Sequence, residues 1–232
     1  MNDHIVKAFD DDLNRLSGLV SEMGSRAAIA IEQAIRALND RDKEAAQRIV
    51  AEDKRIDELE MEVEKLVVTT IALRAPMADD LRAMIAALKI AAVLERVGDY
   101  AKSIAKRVPI LADVRIIESI PLLVSMSEIV CEMLRDVLTA FASRNPAMAE
   151  DVTRRDKAVD DFYNSIFRTS ITYMMENPRS ISESAHLLFI AKNLERAGDH
   201  ATNVAEMVYY TATGQHMSER EKGVDITASV PE

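Results

Sequence analysis

Tryptophan is absent from this chain, aromatic residues amount to only 4%, and glycine and proline number six each, which leaves little of the material that turn-rich β structure uses. The single cysteine, Cys131, excludes an internal disulfide and fits a reducing compartment; its apolar helical surroundings mark it as a core residue. No stretch approaches the ~20 consecutive apolar residues needed to cross a bilayer. The opening Met1-Asn2-Asp3-His4-Ile5 lacks the basic and apolar regions of a secretory signal, so a cytoplasmic location is expected. A basic stripe is also missing, and the formal charge of −10 argues against a nucleic-acid partner. Nor is there a glycine-rich phosphate loop, a Cys/His zinc spacing or a nucleophile elbow.

What is present is helical periodicity. Of 232 residues 48% are apolar, and they recur at spacings of three and four. Leu13, Leu16, Val20, Met23, Ala27, Ile31, Ala34 and Leu38 trace one long amphipathic helix over 6–38. The polar turn 39–42 offers capping residues, and a second helix is predicted to run unbroken to about Leu73, where Arg74-Ala75-Pro76 stops it. A third spans about Met77 to Arg107, and Val108-Pro109 closes it. After a joint over 108–121 the programme restarts. Helices are predicted over 122–143, from Asn145-Pro146 to about Glu176, and from a capping box at Ser180-Ile181-Ser182-Glu183 to about Thr213. The fold class is therefore all-α, six long helices in two tandem three-helix bundles: residues 1–110, residues 111–213, and a tail over 214–232 expected to be flexible.

The two halves repeat a pair of acidic words. Leu94-Glu95-Arg96-Val97-Gly98-Asp99 returns 100 residues later as Leu194-Glu195-Arg196-Ala197-Gly198-Asp199. Asp53-Lys54-Arg55-Ile56-Asp57 returns 103 residues later as Asp156-Lys157-Ala158-Val159-Asp160. Each word places acids at i and i+4, on one side of a helix, where like charges repel. At about 100° per residue, Glu95 and Asp99 fall roughly 80° and 120° from the centre of the apolar stripe through Ala91, Leu94, Gly98 and Ala101, at its margin. Asp53 and Asp57 flank their own stripe in the same way. If the two helices are neighbours, four carboxylates meet in one groove per half, and a multivalent cation would turn repulsion into attraction. Gly98 and Gly198, costing about 1 kcal/mol each inside a helix, suggest close approach of another element. Arg96 and Arg196 point about 180° from the stripe centre, towards solvent or a partner, with solvent the expected reading. Glu60 and Glu64 lengthen the first acidic column, but Tyr163 and Phe167 replace them in the second half, so they fall outside the repeated device.

Two other readings compete. A solvated acidic edge on a metal-free helical scaffold needs no ligand. A di-iron carboxylate enzyme wants two Glu-x-x-His words on different helices, and only Glu183-Ser184-Ala185-His186 supplies one.

With its tandem bundles and paired acid-x-x-x-Asp words, the chain resembles the PhoU family of phosphate-specific transport accessory proteins over nearly its whole length. The resemblance implies metal clusters bound by Asp53, Asp57, Glu95, Asp99, Asp156, Asp160, Glu195 and Asp199, with iron, manganese, magnesium and zinc all compatible. It implies no catalysis. It further implies a negative regulator of the phosphate-starvation response that couples the ATPase subunit of the phosphate ABC transporter to a sensor histidine kinase. A homodimer is expected, without nucleic acid or membrane insertion.

Overall fold

The computed structural model describes the backbone of residues 2–113 and 119–218 and the side chains of residues 9–113 and 119–218. Residues 114–118 of the expected joint and 219–232 of the expected tail lie outside the described residues. The helices are α1 (Asn2–Asp40), α2 (Lys43–Glu52), α3 (Lys54–Arg74), α4 (Ala78–Ala105), α5 (Val108–Leu111), α6 (Ile120–Ser143), α7 (Pro146–Glu176) and α8 (Ile181–Thr213).

Side-chain caps fix two of the helix starts. Asp42 caps α2, its Oδ1 accepting from the Ala45 amide at 2.8 Å, and Asn145 caps α7, accepting from the Met148 amide at 3.2 Å. The expected capping box at α8 does not form. A single 3₁₀ turn, Pro178–Ser180, precedes the helix, and the Ser180 hydroxyl donates back to the Asn177 carbonyl at 2.7 Å instead of capping. The predicted second helix is also interrupted. At Asp53 the ladder tightens to an i to i+3 bond, Ile56 amide to Asp53 carbonyl at 2.8 Å, and separates α2 from α3.

Helices α1, α2/α3 and α4 pack as one three-helix set, and α6, α7 and α8 as the other. The sets then pack on each other through α1 against α6 and α4 against α8. Along the second seam the helices run antiparallel: the Arg82 guanidinium lies over the Tyr210 ring at one end, and Arg107 over Phe189 at the other. Residues equivalent in the repeat meet across both seams. Tyr100 meets His200, and the Cys131 thiol donates to the Ala28 carbonyl at 3.5 Å. These pairs mark a pseudo-two-fold relation between the halves. One contiguous apolar core runs through both sets, with Leu94, Leu194, Met23, Met126 and Leu134 wholly enclosed.

The joint contributes to that core. Val108 and Leu111 of α5 are buried, and α5 packs on α1, α2 and α8. Residues 214–218, at the start of the expected tail, lie against the second set: His216 stacks on Tyr210 with centroids 4.8 Å apart, and Met217 packs on the core. Burial lifts the Cys131 thiol to about 12, in keeping with a core residue. Among the described residues no helix is long and apolar enough to cross a membrane.

Candidate metal centre

Within each half the acidic words face one another across two helices, and glycine makes the approach possible. A methyl group placed on Gly98 would stand 2.9 Å from Ile56 Cδ1 and 3.5 Å from Asp53 Oδ1. One on Gly198 would stand 3.2 Å from Val159 Cγ1 and 3.5 Å from Asp156 Oδ1. The space that a side chain on the neighbouring helix would fill is taken by Ile56 in the first half and Val159 in the second, with the first acid of each Asp-x-x-x-Asp word in ordinary contact beside it. This depth differs from the stripe-margin position read from the sequence. Asp53 is 6% exposed and Asp156 5%, whereas Asp57, Glu95, Asp99, Asp160, Glu195 and Asp199 are only partly covered. The expected pair of open acidic grooves is thus two clusters, each with one sunken carboxylate.

In the first cluster the counter-charge is Lys102, one turn beyond Asp99. Its Nζ donates to Asp53 Oδ2 at 2.5 Å and lies 3.5 Å from Asp99 Oδ1. Burial, then the Asp53 charge, raises Asp57 above the usual aspartate range; Lys102 opposes the rise and Asp99 adds to it. Glu95 is raised by burial and then by Asp99, with Arg96 opposing from 3.6 Å. Glu60, excluded on repeat grounds, belongs to the same field: burial raises it first, then Asp57 and Glu64. A surface pocket of about 100 Å³ borders the cluster at Glu52, Asp53, Gly98 and Lys102.

The second cluster is arranged differently. Lys192, one turn before Glu195, donates to Glu195 Oε1 at 2.7 Å and lies 5.1 Å over the Tyr163 ring. Glu195 is held above the usual glutamate range chiefly by burial, against the Lys192 bond and with Asp199 and Asp160 adding to the rise. Its other oxygen, Oε2, is enclosed with no hydrogen-bond partner among the described residues.

The clusters approach each other at the α4–α8 seam. Tyr100 and His200 stack with centroids 5.5 Å apart, and the phenol and His200 Nε2 share a hydrogen bond of 2.9 Å. Burial lowers His200 and raises Tyr100, and both lie in the fields of Arg96 and Arg196. Arg96 nevertheless keeps its expected solvent exposure, 65% of its side chain. Sequence reasoning missed Lys102, Lys192, Tyr100 and His200. The lysines were detectable as i,i+3 partners of Asp99 and Glu195. The aromatic pair stood at equivalent positions of the repeat, 100 residues apart.

All eight candidates are carboxylates, the donor type suited to hard cations, and the enclosed, unpartnered Glu195 Oε2 fits a cation binder. Among the described residues, however, no three His, Cys, Asp or Glu side chains converge into a group that could hold a metal ion.

The family model of the PhoU domain matches residues 20–108 and again 123–208. A Zymomonas mobilis relative described as a phosphate-specific transport system accessory protein PhoU homolog is 54% identical over 226 residues, covering 97% of this chain and 95% of that protein. The Escherichia coli accessory protein PhoU is 35% identical over 218 residues, covering 93% and 89%. Among solved structures, the Streptococcus pneumoniae phosphate transport system regulatory protein PhoU superposes with a TM-score of 0.85 at 29% identity, covering 91% of this chain and all of that one. Pseudomonas aeruginosa PhoU gives 0.77 at 31% identity, covering 93% and 100%.

Proposed function

Since the chain belongs to the PhoU family, we propose that it is a phosphate transport accessory protein and a negative regulator of the phosphate-starvation response. In this role it docks both the ATPase subunit of a phosphate ABC transporter and a sensor histidine kinase, holding the kinase inhibitory while phosphate is plentiful. The support is the near full-length likeness to relatives named as accessory proteins of that system. The functional unit is taken to be a homodimer, which light scattering after gel filtration tests. Pull-down with the ATPase and the kinase tests the adaptor role; reproducible failure to bind either one sinks it.

Asp53, Asp57, Glu95 and Asp99 would hold metal in the first half, and Asp156, Asp160, Glu195 and Asp199 in the second. The observation that carries this reading is the repeated sunken carboxylate, Asp53 against Gly98 and Asp156 against Gly198. A bound iron, manganese, magnesium or zinc ion would supply charge neutralisation and cross-link neighbouring helices. The chain's own part would be to bury one acid per cluster and keep the others at the rim. Elemental analysis of the purified protein, beside a variant with all eight acids changed to Asn or Gln, is expected to find metal only in the first. Equal content in both excludes metal at these sites. The Lys102–Asp53 pair favours a second reading, a metal-free scaffold in which lysine alone balances the acids; absence of metal from both samples selects it.

A further inference from the structure

On the metal reading above, we infer that Lys102 is a tethered cation that fills the first cluster in place of metal, so that metal enters only as the ammonium leaves. One nitrogen serves acids from both sides of the site. It bonds Asp53 at the junction of α2 and α3, approaches Asp99 on α4, and acts on the charge of Asp57. Asp53 is only 6% exposed, so solvent screens it poorly and the charge that Lys102 brings matters to it.

Lys102 keeps 29% of its side chain exposed, on a flexible four-carbon stem that can swing into solvent without moving the helix. Asp53 and Asp99 would be among the residues that hold a multivalent ion, and with Nζ already beside both of them the two cations would repel strongly. The repeat does not carry a lysine at the matching position. The equivalent residue in the second half is Thr202, fully buried, its hydroxyl donating to the Gly198 carbonyl at 3.3 Å. Lys192 approaches Glu195 from one turn before it.

The test uses the full chain, stripped with chelator and titrated with Mn²⁺ by calorimetry, the second cluster silenced by Asp156→Asn and Glu195→Gln. In that background Lys102→Met is expected to tighten binding about tenfold, and Lys102→Arg, which keeps the charge, to stay near the parent. Equal or weaker binding by Lys102→Met overturns the inference and leaves the metal reading standing; no Mn²⁺ binding by any of them overturns both. A second readout needs no substitution. Lysine acylation of the wild-type chain, read by mass spectrometry, is expected to label Lys102 faster once Mn²⁺ is bound. Unchanged labelling of Lys102 in Mn²⁺-loaded protein also overturns the inference.

Discussion

The two halves share a plan and differ in how they balance it. Both sink one aspartate against a glycine, yet the first answers with Lys102 after its acidic word and the second with Lys192 before it. Around Asp57 the first half adds Glu60 and Glu64 to the negative field; the second has Tyr163 and Phe167 there, 6.4 Å apart as tilted rings. Aromatic cover accompanies a deeper Glu195, whose side chain is 13% exposed against 22% for Glu95. The halves therefore share the eight acids while the neighbours of those acids differ, making one cluster more acidic and the other drier.

The shared plan is most severely tested in the core. Leu94→Ala and Leu194→Ala, both at fully enclosed positions, are each expected to cost about 2 to 5 kcal/mol. Urea unfolding that gives costs within about 1 kcal/mol of each other upholds equivalence; a wide gap breaks it. Lys102→Met in chelator is expected to destabilise by about 1 to 3 kcal/mol by stranding the Asp53 carboxylate. Thr202→Val at the matching position removes one ordinary hydrogen bond and should cost about 0.5 to 1.5 kcal/mol.

A finer contrast lies at the glycines. Gly98→Ala should stay within about 1 kcal/mol of the parent, because the gain in helix propensity offsets the displacement of the mobile Ile56 Cδ1. Gly198→Ala should be worse, since β-branched Val159 has no further torsion to yield. Thermal melts of the two variants decide it.

The smallest effect is in pH dependence. Burial raises Glu195 above its ordinary 4.5, so from that value upwards the unfolded chain loses its proton before the folded one does. Stability then falls as pH rises through 4.5 towards the folded value, and the full penalty is present above it. In chelator, Glu195→Gln should melt higher than the parent at pH 7, with the gap closing below 4.5. Glu95→Gln should show a weaker form of the same trend.

Much of this is legible in the sequence. The apolar stripe through Ala87, Ala91, Leu94, Gly98, Ala101 and Ala105 is buried throughout. The stops at Ala75-Pro76 and Asn145-Pro146 fall where local chemistry puts them. The break at Asp53 was not legible, because its counterpart Asp156 lies inside an uninterrupted α7 and nothing local distinguishes the two words. The capping box at Ser180 failed because a preceding 3₁₀ turn engaged its hydroxyl first.

Sequence alone determined six long helices, their duplication and the eight acids, because helical periodicity and repeated words are one-dimensional signals. Only the tertiary structure decided how deep each acid sits and which lysine answers it. It also decided that Tyr100 meets His200 on the seam between the halves. Burial and counter-charge depend on a second helix arriving at a set distance, and that distance is written in side-chain packing across the interface.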